Sequence, residues 1–142
     1  MARDGKHVIH AGGIFANPQL HREGAAAADT QPGTVGTFVN GLFTAASDAD
    51  VGIKYVANFD YLRCKTVDDT IAAGEWVVAF HPTPGVFLNI PAVAGTYNKG
   101  DALSVVNGQV ATGGGADAQF FVEENEETVI STAGELLRVV VK

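Results

Sequence analysis

The spacing of apolar and polar positions changes character near residue 33. Before it, Gly12-Gly13, Pro18, the run Ala25-Ala26-Ala27-Ala28 and Pro32 interrupt any sustained period of 2 or 3.6. Four alanines favour a short helix, but Gly24 and the Asp29-to-Gly33 stretch bound it closely. Residues 1–32 therefore read as an extended N-terminal arm with sparse apolar anchors at Val8, Ile9, Ile14, Phe15 and Leu20. From Gly33 onward, strand patterns follow at short spacing, and residues 33–142 read as a single β domain. Val35 to Val39 runs into Asn40-Gly41, the dipeptide that best supplies the positive φ values of a type I′ hairpin, with Leu42 to Ala45 returning. Val51 to Phe59, Glu75 to His81 and Val86 to Ile90 follow, the last two flanking the stiff turn Pro82-Thr83-Pro84-Gly85. Asp68-Asp69 marks a possible helical turn. Leu103 to Val106 meets a second Asn107-Gly108, and Gln119 to Glu123, Thr128 to Ile130 and Leu136 to Val141 close the chain.

A weak internal repeat runs through this body. At an offset of 67, Gly33 matches Gly100, Val39-Asn40-Gly41 matches Val106-Asn107-Gly108, and Ala49-Asp50 matches Ala116-Asp117. At an offset of 60, Ala73-Gly74-Glu75 matches Ala133-Gly134-Glu135, each followed by an apolar strand. Two related β units of about 45 residues, neither able to bury its apolar face alone, would pair into one sandwich or barrel. The alternative is chance similarity among Gly- and Val-rich hairpins.

Composition sharpens the fold class. Val, Ile and Thr total 35 residues against eight of Leu and Met combined, an excess that favours pleated strands. Among the 142 residues are 17 glycines, as many short strands and tight turns require. The prediction is an all-β fold, a small sandwich or barrel, with at most one short helix.

Charge and cysteine content narrow the function. The formal charge is −7, so no nucleic-acid partner working through a broad basic surface is expected. Residues 1–32 are near neutral, and the whole deficit falls on residues 33–142. One cysteine, Cys64, allows no internal disulfide and no Cys-rich zinc site. No apolar run approaches the roughly 18 residues of a membrane span, and the N-terminus lacks a secretory pattern, so no membrane partner is expected.

No catalytic constellation assembles. His7 and His10, with His21 and His81, lack the rigid frame zinc needs. Asp48-Ala49-Asp50 starts like a calcium loop, but Ile53 and Phe59 stand where the loop needs Gly and Glu. Glu123, Glu124, Glu126 and Glu127 read as a solvated acidic patch with nothing to separate their pKa values. Cys64 sits between Arg63 and Lys65 in what reads as a strand, where it would be a small buried hydrophobe. Ser47, Ser104 and Ser131 have no evident His partner, and Gly113-Gly114-Gly115 lacks the Lys-Thr of a phosphate loop. The expectation is a protein that is not an enzyme and needs no cofactor or metal.

Pro32-Gly33 through Asn40-Gly41, Lys99-Gly100-Asp101-Ala102-Leu103 through Val110-Ala111-Thr112, and the last strand from Gly134-Glu135 through Val141 together resemble tailed-bacteriophage capsid cement or decoration proteins, over about residues 32–142. The resemblance implies a viral structural protein that stabilises an HK97-like shell from outside. Its partners would be the major capsid protein and itself, commonly as a homotrimer, and its location the virion surface after synthesis in the host cytoplasm. Extended, 32 residues reach about 105 Å at about 3.3 Å each, so the arm is expected to clasp the shell or an adjacent subunit through Ile14, Phe15 and Leu20. Deleting residues 1–24 would then leave a folded domain that binds shells poorly. The plain alternative for the arm is a disordered leader. The alternative function is a small β module of a tail or fibre that binds glycan or receptor, which aromatics in an exposed groove would favour.

Overall fold

A computed structural model describes residues 5–13 and 21–142. The chain builds β1 (His10–Gly12), then β2 (His21–Ala25), β3 (Val35–Val39), β4 (Leu42–Ala45), β5 (Tyr55–Ala57) and β6 (Trp76–Phe80). After the Pro82-to-Gly85 link come β7 (Phe87–Pro91), β8 (Gly95–Tyr97), β9 (Ala102–Val106), β10 (Gln109–Thr112), β11 (Phe120–Val122), β12 (Thr128–Ile130) and β13 (Leu136–Val141). The fold is all-β. The described helix is one 3-10 turn, Tyr61–Arg63.

The sheets are open and antiparallel. One runs β2-β6-β5-β3-β4, the other β1-β7-β13-β11-β9-β10, and β8 pairs with β12. Apart from β1, the two larger sheets have the same strand order, and their registers also correspond. Thr37↔Thr44 and Phe38↔Phe43 in the first hairpin answer Ser104↔Ala111 and Val105↔Val110 in the second, at the offset of 67. Ala57↔Ala79 answers Val122↔Val139, and Gly24↔Val77 answers Ile90↔Leu137. Even the isolated parallel bridges correspond, Ala26↔Phe43 with Ala92↔Val110. A one-residue slip would turn every side chain to the opposite face, so register agreement across five strands is strong evidence of a duplicated unit. The halves span about residues 21–80 and 87–141, longer than the 45 residues the sequence matches delimit.

The turns behave as their chemistry requires. Asn40 and Gly41 take φ of 50° and 81°, Asn107 and Gly108 take 46° and 82°, and both pairs close type I′ hairpins. Gly33 and Gly100, both at 87°, lead into β3 and β9.

Residues 1–32 are not a free arm over their described length. His21–Ala25 is the first strand of the first unit, as Phe87–Pro91 is of the second, and all five of its residues pair with β6. Ile9 is fully buried in the main core, and β1 extends the second unit's sheet beside β7. Burying Ile9 stabilises the fold by about 1.5–3 kcal/mol. A deletion of residues 1–24 therefore removes a core side chain and a sheet strand. The alanine run makes no helix, because Ala26 and Ala27 donate to Glu75 and Phe43 carbonyls across the sheet.

One core spans both halves. Val35, Val56 and Phe80 of the first unit join the second unit's Leu88, Ile90, Leu103, Phe120 and Leu136. A smaller cluster, Ala26, Phe43, Ala57, Ile71, Val77 and Ala79, belongs to the first unit alone. There the Phe43 ring lies over Gly36, where an added Cβ would overlap it. The counterparts of Gly36 and Phe43 are Leu103 and Val110, and those of Ala57 and Ala79 are Val122 and Val139. Volume is redistributed between the copies, as close packing demands.

Candidate interaction surface

The two units are held together by the second hairpin. Its tip enters the gap where β3 and β4 separate beyond their last pair. The Val35 N–H donates to the Gly108 carbonyl (2.9 Å), and the Gly108 N–H donates to the Ala46 carbonyl (2.7 Å). Asp48 N–H donates to Val105 O (3.0 Å), Val105 N–H to Asp48 Oδ2 (3.0 Å), and Asn107 N–H to Ser47 Oγ (2.9 Å). Gly108 is required twice, by its positive φ and because a Cβ there would meet Thr34 Cγ2 and Ala45 Cβ. Asp48 is thus a buttress of the clamp. Asp50 accepts the Ser47 N–H (2.7 Å) in a local turn, so both carboxylates serve the backbone.

The glutamate cluster does not form one solvated patch. Glu124 is buried, pairs with the equally buried Lys6 at 3.1 Å, and accepts the Arg138 N–H (2.8 Å). Glu123 meets Lys99 at 2.9 Å, while Glu126 and Glu127 are exposed. Lys6 anchors the N-terminal segment, which is also held by Asn89 Nδ2 to Val8 O (2.6 Å) and Asn89 N–H to Ile9 O (2.7 Å). Breaking a buried pair from one side costs about 3–5 kcal/mol, because the partner charge stays behind.

Cys64 departs from its expected strand. The Asp60 carboxylate accepts the Arg63 N–H and starts a 3-10 turn. Cys64 ends the turn in the left-handed region at φ 55° and is exposed. Around Asp68-Asp69 the chain makes a turn rather than a helix. Asp69 Oδ2 accepts the Thr66 N–H (2.7 Å) and hydroxyl (2.9 Å), and these bonds hold its carboxyl below the usual range. Tyr97 is fully buried and donates to Val93 O (2.6 Å), and burial pushes its phenol up.

Two clefts flank the clamp. One, of about 340 Å³, is lined by Asp48, Lys54, Leu103, Val105 and residues 115–119. The other, of about 430 Å³, is lined by residues 27–31, Thr34, residues 43–45, Asn107 and Gln109. Neither brings a histidine to a serine or cysteine. Among the described residues, no three of His, Cys, Asp and Glu converge on a point where a metal would sit. No described helix is long and apolar enough to cross a membrane.

What the surface offers is apolar side chain, mostly on the first unit. Val51 is 93% exposed and Ile53 56%, beside a shallow depression formed with Arg22, Thr37, Phe38 and Tyr55. Val39 and Leu42 flank the first hairpin tip, and Leu62, Tyr61 and Trp76 form a second patch. The sequence places Val51 and Ile53 in a strand running to Phe59, but the strand is only Tyr55–Ala57, and Val51 and Ile53 stand exposed on either side of Gly52, which takes a positive φ before it. The anchors predicted from sequence, Ile14, Phe15 and Leu20, lie outside the described residues. The chain matches no protein-family model and no curated protein.

Proposed function

We propose that this is a structural protein that binds the outer surface of a tailed-phage capsid as a decoration protein and stabilises the shell. Its partners in this reading are the major capsid protein and further copies of itself as a homotrimer, carried on the virion after synthesis in the host cytoplasm. It performs no catalysis and needs no cofactor. The observation that carries the reading is the exposed apolar ledge at Val51 and Ile53, the most exposed of several apolar sites on a β body of net negative charge. A surface of this kind suits a partner protein better than a small substrate. Two of the segments that resemble decoration proteins occupy corresponding places in the two units, leading into β3 and β9, and the third forms β13.

The test is co-sedimentation of the full chain with shells that lack it. Saturable pelleting is expected, and the double substitution Val51→Asp, Ile53→Asp should weaken it at least tenfold without changing the circular dichroism. A full chain that stays in the supernatant contradicts the reading. The fibre or tail alternative draws on one feature: Trp76 is half exposed near Tyr61, with its Nε1 donating to Glu23 (2.9 Å), an arrangement on which a sugar ring can stack. Binding to glycans that is lost in Trp76→Ala, with no affinity for shells, would favour it.

A further inference from the structure

The clamp uses one hairpin and one gap, but duplication has made two of each. The first hairpin, Val39-Asn40-Gly41-Leu42, repeats the docked Val106-Asn107-Gly108-Gln109 in its leading three residues, in pairing register and in φ at both turn positions. Yet among the described residues a Cβ built at Gly41 has nothing within 4 Å, and residues 39–42 are exposed although the Gly41 carbonyl lies over Gly24 of β2, whereas a Cβ at Gly108 is crowded. The second unit likewise repeats the gap. Gly114 N–H donates to Ala102 O (2.9 Å) as Ala46 N–H donates to Val35 O (3.0 Å), so Ala102 and Gly114 correspond to Val35 and Ala46, although the second loop is one residue longer and Gly114 lies against the Leu103 backbone, where a Cβ would not fit. Val35 and Ala46 are fully buried under the docked tip. Ala102 and Gly114 are only half-buried, and Thr112, Gly113, Gly115 and Ala116 around them are exposed.

We infer that the first hairpin of one copy docks in the second unit's gap of another copy, joining chains head to tail. The occupant follows from the intrachain clamp, in which the same Val-Asn-Gly tip already fills the corresponding gap of the first unit. The contact is heterologous, because hairpin and gap are different surfaces of the chain, so it generates a ring when the rotation closes. It is weaker than the clamp, since Gly115 and Ala116 supply neither the hydroxyl of Ser47 nor the carboxylate of Asp48. Leu42, in place of Gln109, adds apolar contact at the rim. The assembly is therefore reversible on dilution. This inference gives a geometry to the self-association in the capsid reading, and because it is measured with no shell present its failure leaves shell binding by the monomer to be tested separately.

Two exposed substitutions test it by light scattering on a sizing column. Leu42→Glu disables the hairpin and leaves the gap intact; Thr112→Arg blocks the gap and leaves the hairpin intact. Wild-type protein should show an oligomer that dissociates toward 14.7 kDa on dilution, and each variant alone should run at 14.7 kDa. Mixed in equal amounts, the two variants should form a dimer and nothing larger, because one intact hairpin meets one intact gap. That recovery also shows that both variants are folded. A wild-type chain that is monomeric at every concentration, variants that keep the oligomer, or a mixture that stays monomeric would each overturn the inference.

Discussion

Tyr97 shows most directly how a single buried group ties the fold to its conditions. Its phenol is held above the ordinary value of about 10 by burial, so the folded chain keeps a proton that the unfolded chain releases. The sign follows: its contribution is complete below pH of about 10 and is lost as pH rises through the folded value. Tyr97→Phe should cost about 1 kcal/mol at neutral pH, by leaving the Val93 carbonyl without its donor, and should flatten the alkaline loss of stability. Melting temperatures of both proteins between pH 7 and 11 check this. An equally steep alkaline loss in the variant would count against it.

Gly36 and Phe43 make a second case at the same scale. Gly36→Leu alone drives a side chain into the Phe43 ring and against the Thr44 carbonyl and should cost about 3 kcal/mol. Adding Phe43→Val, which reproduces the second unit's Leu103 and Val110, should recover about 1 kcal/mol or more of that loss in urea unfolding. Simple additivity would mean that the Thr44 carbonyl rather than the Phe43 ring bars the larger side chain. Little of this was legible in the sequence, because a Gly-for-Leu exchange in a strand acquires meaning only once its cross-strand partner is known. Cys64 was misread for a related reason: its neighbours alternate like a strand, but the Asp60 side chain captures the backbone first.

At the level of elements, the hairpins separate local chemistry from docking. Gly41 and Gly108 sit at φ of 81° and 82°, so Ala suffers the same backbone strain at either position. Only Gly108 is wedged against Thr34 and Ala45. Gly108→Ala should therefore cost about 1–3 kcal/mol more than Gly41→Ala in chemical denaturation, and equal losses would mean that the tip is not a joint. The two Asn-Gly turns and most of the matches at offsets of 67 and 60 were readable because turn residues encode their own backbone geometry, but Ala49-Asp50 does not correspond to Ala116-Asp117, since the second loop is one residue longer: Asp50 N–H donates to Ser47 O as Ala118 N–H donates to Gly115 O. Strand β2 was not. Its residues His21, Arg22 and Glu23 are all exposed, which erases the apolar alternation that marks a half-buried strand. Its counterpart β7 is almost wholly buried, so the two strands share no identical residue, and only Ala26, Ala28 and Thr30 beyond them match Ala92, Ala94 and Thr96.

For the whole molecule, the account rests on a tandem duplication in which residues 21–32 open the first unit and residues 5–13 strap the second. Any clasp on a shell must therefore come from the body's exposed surfaces or from residues outside the described ones, not from a free arm of 32 residues. Native-state hydrogen exchange tests this claim most directly. The amides of Ala26 and Ala27 donate to the Glu75 and Phe43 carbonyls, as those of Ala92 and Val93 donate to Glu135 and Val110. The duplication predicts slow exchange at all four, with protection of Ala26 and Ala27 within about tenfold of their counterparts. Exchange of Ala26, Ala27 and Thr30 at the rate of an unprotected chain, beside protected amides from Gly33 onward, would contradict it.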